Sequence, residues 1–472
     1  MANQRSVKMS VCRRCRLQDA SVVSRKEWFC NECFQKFVSA KQRKQMMCEP
    51  YFQDIFKVLY QDKIRSAEEA GLQNQQSKVL VPLSFGSSSL VMLDILNETL
   101  TEQKQTQRGN TGFQIDVLIC LKAGDDRDTY QKIVKELHEE RYAMNHEKLK
   151  FHFISEESFY DGELRTILLD NQGFASKSIK GQLDLSQNST VEKLLAQCPD
   201  KSSRKDLDTF IQRHLIKKYA YQHNHKAILW GHSMTKLADE TISLIVKGRG
   251  SQISPLLSDT ELNPLYENKF KNMFPLKDVL LSEIDAYCYT KGLEGFLVGY
   301  VAQDTLLVNK IGDSKQPTKM VKQLSINEIA RGYFDDVEAD YSNVISTVVR
   351  TAYKLAEPKS ICSEPCSICQ TKIHSDAFRW LRAITVNDSH PIENDEEAGL
   401  FAKWRDSELG NEVIEYMKLK DRAFQDGVDA PLCYGCMINL NRMRNRNVLW
   451  PQNDEEELQT VLNEFVLADD GE

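Results

Sequence analysis

The residues of this 472-residue chain best placed to do chemistry are cysteines at metal-ligand spacing. Cys12 and Cys15 form one Cys-x-x-Cys pair, and after fourteen intervening residues Cys30 and Cys33 form another. Two residues between ligands let one tight turn present two sulfurs to a tetrahedral ion, and four thiolates close its shell. The spacing predicts an N-terminal structural zinc knuckle, whose closed shell leaves no position for a substrate. The rival chemistry, two redox dithiols, favours a helix start after a strand of a thioredoxin-like unit, which the short basic N-terminus does not offer. Downstream, Cys366 and Cys369 are followed after 63 residues by Cys433 and Cys436, with Cys362 a competitor for one position. These four predict a second zinc site, with Trp380, Phe401 and Trp404 expected to pack around it. Cys120, Cys198 and Cys288 stand alone in or beside apolar segments and read as inert thiols.

A second chemical signal is the apolar run Val79–Leu83 followed by Ser84, Phe85, Gly86, Ser87, Ser88 and Ser89 and then an apolar helix. A strand, a Gly/Ser turn and a helix N-terminus together offer backbone N–H groups and a positive dipole end, a cradle for phosphate. Neither the lysine-bearing triphosphatase loop nor the three-glycine dinucleotide fingerprint is present. Taken alone, such a turn more often caps a helix with serine than binds an anion.

Stepping outward, the elements that hold these motifs follow the rhythm of a sheet wound with helices. Strands are predicted at Val79–Leu83, Ile115–Leu121, Leu149–Ile154 and Ala227–Trp230. Helices are predicted from Ser87 to about Leu100, through Tyr130 to Leu137, around Phe210–Tyr221 and from Met234 to Val246. Polar stretches at Thr101–Gly112 and Asp184–Arg204, the latter within an insertion from about Asp161, read as surface loops. Beyond Gly292 the residues Ile326, Ile329, Tyr333, Val337, Tyr341, Val344, Ile345, Val348 and Ala352 recur at helical spacing, predicting one or two long amphipathic helices. The fold class is therefore α/β, a doubly wound, mostly parallel sheet with an N-terminal zinc knuckle and a C-terminal cysteine-built zinc module. The expected division is 1–50 zinc-binding, 51–300 α/β domain with a polar insertion at about 161–204, 301–360 helical connector, 361–450 zinc module and 451–472 acidic tail.

Composition restricts the function classes. With 41% hydrophobic and 27% charged residues the chain has the balance of an ordinary globular protein. No apolar stretch approaches the roughly 18 residues a spanning helix needs, and no signal-peptide region opens the chain, so no membrane partner and a cytoplasmic location are expected. Thirteen cysteines in so long a chain do not make a secreted disulfide scaffold. The net charge of −7 argues against global attraction to nucleic acid. Local clusters remain: residues 1–50 hold 11 Lys/Arg against 4 acids, whereas 452–472 hold 8 acids and no base. The candidate RNA-contacting cations are Arg13, Arg14, Arg16, Arg25 and Lys26, and Arg442, Arg444 and Arg446 beyond Cys436.

In their joint order, the N-terminal double Cys-x-x-Cys, the Ser84–Ser89 loop, Gly231-His232-Ser233-Met234-Thr235-Lys236-Leu237-Ala238, Lys247-Gly248-Arg249-Gly250, Phe274-Pro275-Leu276-Lys277-Asp278 and the C-terminal pairs resemble the tRNA-thiolating branch of the pyrophosphate-loop ATPases. Over nearly the whole chain the resemblance is to the cytoplasmic tRNA 2-thiolation protein 2 family. It implies a pyrophosphate-loop-like domain and a role beside a catalytic homologue, subunit 1. That pair places sulfur on the wobble uridine of lysine, glutamate and glutamine tRNAs, with a thiocarboxylated ubiquitin-related modifier as sulfur donor. Active members carry a loop resembling Ser-Gly-Gly-x-Asp-Ser and a segment resembling Gly-His-Asn-x-Asp-Asp. Here Phe85 stands at the first glycine and Ser88 at the aspartate, and Ser233, Thr235 and Lys236 occupy the second segment. Between Ser155 and Tyr287 only Cys198 is available where catalytic relatives use several cysteines. These departures put ATP binding in doubt and imply a pseudo-enzyme without catalytic residues, in which Ser84, Gly86, Ser87, Ser88 and Ser89 form a degenerate loop. The competing readings are an autonomous ATP-dependent tRNA sulfurtransferase and a zinc-organised RNA-binding adaptor.

Overall fold

The structure is a computed structural model that describes residues 11–58, 77–162, 164–168, 190–257, 262, 264–311, 324–357, 365–374, 392–425, 431–440, 443 and 447–451. Contacts divide the chain into two compact units. The first takes in residues 1–155, 215–243 and 256–355, and the second residues 156–214, 244–255 and 356–472.

The first unit opens with a hairpin, β1 (Val22–Ser24) and β2 (Glu27–Phe29), followed by the helices α1 (Asn31–Met46) and α2 (Pro50–Phe56). The hairpin turns on Arg25 and Lys26, both in left-handed backbone conformation, which matches the strands' own twist. Next come β3 (Lys78–Pro82), α3 (Ser87–Thr106), β4 (Gln114–Leu121), α4 (Arg127–Glu136) and β5 (Leu149–Ser155). The sheet is completed by β6 (Ala227–Leu229) and β7 (Lys271–Met273), in the order β5-β4-β3-β6-β7, with every pairing parallel. Val79, Leu80 and Val81 are all fully buried, as a strand covered on both faces requires. The chain winds outward from β3 in one direction and then returns to its other side. The C-terminal ends of β3 and β6 therefore flank the point where strand order reverses, the place where open α/β sheets bind ligands. The α/β fold and its parallel sheet are as the sequence predicted.

Several local expectations need correction. Residues 101–106 continue α3 rather than forming a loop; the helix stays packed through Leu100, and the Thr99 and Thr101 hydroxyls fold back onto backbone carbonyls four residues earlier, which lets these polar residues sit within it. In the predicted loop 184–204, a short helix covers Val191–Ala196 and a long one begins at Lys201. Leu164–Leu168, inside the polar insertion, pairs antiparallel with Asn447–Pro451 in the second unit. The long helix Ile326–Ala352 is two helices merged at Tyr341, which has non-helical φ/ψ, and it opens with a capping box between Ser325 and Glu328. Its buried stripe is Ala330, Phe334, Ile345, Val349 and Ala352, spacings of a single helical face, whereas Ile329, Tyr333 and Tyr341, three of the residues expected on that face, are exposed. The acidic tail lies outside the described residues. Among the described residues no helix is long and apolar enough to cross a membrane.

Candidate functional site

Both cysteine quartets come together. The ligand atoms of Cys12, Cys15, Cys30 and Cys33 all lie within 4.8 Å of one another, and so do those of Cys366, Cys369, Cys433 and Cys436. A tetrahedral ion with metal–sulfur bonds of about 2.3 Å sets its sulfurs about 3.8 Å apart. Cys15 and Cys30 are separated by 3.8 Å, and Cys369 and Cys433 by 3.6 Å, which fits that shell and is far too long for a disulfide. Cys362 lies outside the described residues.

The two quartets repeat one local construction. After each first pair, the next residue (Arg16 or Gln370) adopts a left-handed conformation and returns its N–H to the carbonyl of the first cysteine (Cys12 or Cys366). Each second pair then straddles a helix start, at Asn31 and at Tyr434. At the first quartet, burial alone would raise the Cys12 thiol, but backbone N–H groups of Cys15, Cys30 and Arg14 bring it down to about 6. At the second, the neighbouring thiols of Cys366, Cys433 and Cys436, with the charge of Arg249, drive Cys369 well below its ordinary value. Within each quartet the directions divide: Cys15 and Cys433 are lowered as well, whereas burial raises Cys30 and Cys33 at the first and Cys366 and Cys436 at the second, so a metal would find two thiols in each disposed to ionise and would itself have to displace the protons of the other two. Phe401 and Trp404 lie against each other as a tilted pair, ring centroids 5.6 Å apart, and stay 47% and 38% exposed. Trp380 lies outside the described residues. The lone thiols of Cys198 and Cys288 are pushed up by burial, Cys198 to about 11.

The Ser84–Ser89 loop sits where β3 ends, at the reversal of strand order, and Gly231 follows β6 beside it. A side chain at Gly231 would meet the Ser89 Cα at 3.0 Å, so the two segments touch backbone to backbone. Phe85 takes a left-handed conformation, φ 55°, which a glycine adopts without strain and a bulky residue does not. Its ring is buried and packs on Tyr130 at 5.1 Å. The serines bond inward: Ser84 and Ser89 hydroxyls lie 3.4 Å apart, and the Ser89 hydroxyl donates to the Gly86 carbonyl at 3.0 Å. Gly86, not a serine, is the N-cap, and it supplies no side-chain bond to the helix start. Carboxylates do stand nearby, one turn beyond the Gly231 segment. Lys236 bridges both, reaching Asp239 at 3.2 Å and Glu240 at 3.4 Å. Burial lifts the Asp239 carboxyl to about 6 despite the Lys236 ammonium beside it.

Of the N-terminal cations, Arg13, Arg16 and Lys26 are exposed. Arg14 pairs with Glu27 at 3.2 Å. Arg25 is drawn into an ion pair with Glu283, a buried carboxylate of helix Leu281–Lys291 that the sequence did not single out. Arg442, Arg444 and Arg446 lie outside the described residues.

Fold and sites together define a parallel-sheet α/β protein with a serine-rich turn at the reversal of strand order and two four-cysteine clusters. The family model for cytoplasmic tRNA 2-thiolation protein 2 matches residues 325–438. Proteins of that description match almost end to end. The one from Vanderwaltozyma polyspora is 50% identical over 97% of this chain and 97% of its own, and that from Candida glabrata 48% over 97% and 99%. A Saccharomyces cerevisiae relative is 40% identical over 98% and 99%. The chain belongs to the cytoplasmic tRNA 2-thiolation protein 2 family. A solved structure of the U34-tRNA thiolase NcsA from Methanococcus maripaludis with its 4Fe–4S cluster is a distant likeness, with TM-score 0.47 and 14% identity over 82% of this chain and 100% of that one.

Proposed function

We propose that this chain is the non-catalytic member of a two-protein complex that 2-thiolates the wobble uridine of lysine, glutamate and glutamine tRNAs in the cytoplasm. In this reading a catalytic homologue, subunit 1, carries the reacting groups, and a thiocarboxylated ubiquitin-related modifier supplies sulfur. The observation that carries the reading is Phe85, whose left-handed backbone and buried ring occupy the turn where a phosphate would need close backbone approach. The serines bonded to one another and the carboxylates spent on Lys236 support it. The two quartets hold structural zinc, four thiolates leaving no open coordination position. The purified chain alone is expected neither to consume ATP nor to thiolate tRNA, and the double change Phe85→Gly, Ser88→Asp is not expected to create activity. Turnover by the isolated chain that disappears on replacing Ser84 or Ser89 would overturn this reading.

Transfer RNA would be met by local cations rather than by net charge. Arg13, Arg16 and Lys26 on the first knuckle and Arg442, Arg444 and Arg446 after the second are the proposed phosphate contacts, with Arg14 and Arg25 already engaged by carboxylates. Replacing Arg442, Arg444 and Arg446 with alanine in the assembled complex is expected to weaken different tRNAs alike. The slope of log affinity against log salt should fall by about one unit per lost contact. Unchanged affinity and slope would remove this cluster from the RNA surface.

A further inference from the structure

The Lys247-Gly248-Arg249-Gly250 segment is used by nothing described so far, yet Arg249 is almost completely buried, at 2% exposure. A guanidinium is always charged, and taking it out of water is costly unless a counter-charge and hydrogen-bond acceptors replace the water. Its carboxylate neighbour is Asp206, 3.7 Å from Nε and too far for a hydrogen bond. Both Asp206 oxygens are already engaged at 2.6 Å, one by Lys247 and the other by Asn439. Arg249 Nη1 donates instead to Gln252 Oε1 at 3.4 Å and to Cys436 Sγ at 3.6 Å, and Nε and Nη2 have no hydrogen-bond partner among the described residues. Gln252, three residues on, donates through Nε2 to both Cys369 Sγ and Cys433 Sγ at 3.5 Å.

The Cys433–Cys436 loop is shaped for this arginine. A Cβ at Gly435 would lie 2.5 Å from Arg249 Cγ and 2.9 Å from its Nε, so only glycine lets the guanidinium reach the sulfurs. The face of Phe210 covers it at 5.0 Å. A divalent ion in four thiolates retains two negative charges, and a buried cation with donors to spare is the matching environment. Among the described residues the first quartet has no buried arginine beside it: Arg13, Arg14 and Arg16 are all exposed, and Arg14 pairs with Glu27.

We propose that Arg249 and Gln252 form the outer ring of donors that holds the second quartet as a dianionic four-thiolate metal site. Retention of that one metal then depends on a segment remote in sequence from all four ligands. The inference rests on the zinc reading above. It is tested on the full chain by zinc content, by the rate of zinc transfer to a chromogenic chelator, and by mass spectrometry of the cysteines that become alkylated. Wild type is expected to hold two equivalents. R249M should release one of them roughly 10–100-fold faster, exposing Cys366, Cys369, Cys433 and Cys436 while Cys12, Cys15, Cys30 and Cys33 stay protected. G435A should behave likewise, and R249K, which keeps charge but not the planar fork, should fall between. If R249M does not fold by circular dichroism, Gln252→Leu carries the test, with faster release of the same equivalent expected. Wild-type release rates in R249M, or in Gln252→Leu where that variant stands in, would reduce Arg249 to packing and overturn the proposal while leaving the zinc reading intact. A wild-type chain without metal would overturn both.

Discussion

Serine at position 30 is expected to unfold the N-terminal knuckle while the parallel sheet persists. Cys30 is buried at the start of α1, so on the zinc reading proposed above the change would strip one of four ligands and leave the remaining thiolates around an open shell. Folding free energy in such small modules comes largely from the metal, about 10–16 kcal/mol for structural zinc in isolated fingers, so losing most of it exceeds what the hairpin and α1 supply by themselves. Zinc content should drop from two equivalents to one. Hydrogen exchange should lose protection over residues 11–46, with β3, β4 and β5 unchanged. Retention of both equivalents, or of protection in the knuckle, would refute a structural metal there. Chelation of wild type should produce the same local loss and be reversed by adding zinc back.

Glu283→Ala is expected to cost about 3–5 kcal/mol, the range for removing one partner of a buried ion pair. Its side chain has no exposure and collects five donors: Ser24 Oγ at 2.8 Å, Arg25 Nε at 2.8 Å and Nη2 at 3.2 Å, Lys41 Nζ at 3.0 Å and the Leu280 N–H at 3.0 Å. Ser24 and Arg25 belong to the β1–β2 hairpin and Lys41 to α1, so this carboxylate fastens the knuckle to the α/β layer. Deleting it leaves two cations facing each other, one of them well buried. Burial alone would raise the Glu283 carboxyl, but Lys41 and Arg25 overcome this and hold it below its ordinary 4.5. Lys41 is also held below its ordinary value, because burial and the like charge of Arg25 outweigh its attraction to a carboxylate it must share. The sign for Glu283 follows from its depressed value. The folded state binds its proton less readily than the unfolded chain, so the contribution is complete above about pH 4.5 and is lost as pH falls toward the folded value. Denaturant midpoints of wild type and Glu283→Ala should converge over that acidic window. A loss under about 1 kcal/mol at neutral pH would show that the hairpin is anchored by other contacts.

What the sequence could disclose was whatever is local along the chain. Two residues between cysteines is the span of one turn, so each of the four pairs was readable as a half-site. The apolar runs of β3 and β4 declared a buried parallel sheet because a strand covered on both faces has no polar alternation to obscure it. Phe85 stood out only through the resemblance, as a bulky residue where that family's active members carry glycine, and its left-handed backbone came from the fold. By contrast, β7 is the three residues Lys-Asn-Met, with no apolar pattern to mark it, and it belongs to the sheet only because β6 is there to pair with it. That Cys366 and Cys369 meet Cys433 and Cys436 across 63 residues was decided by the tertiary fold. So was the pairing of Glu283 with Arg25 and Lys41, more than two hundred residues away, and the seating of Arg249 against sulfurs of the second quartet. The one local hint for Arg249 was an arginine between two glycines. The physical reason is common to all of these: ligand spacing and hydrophobic period are short-range properties, whereas the neutralisation of a buried charge depends on which distant groups folding brings into the same few ångströms.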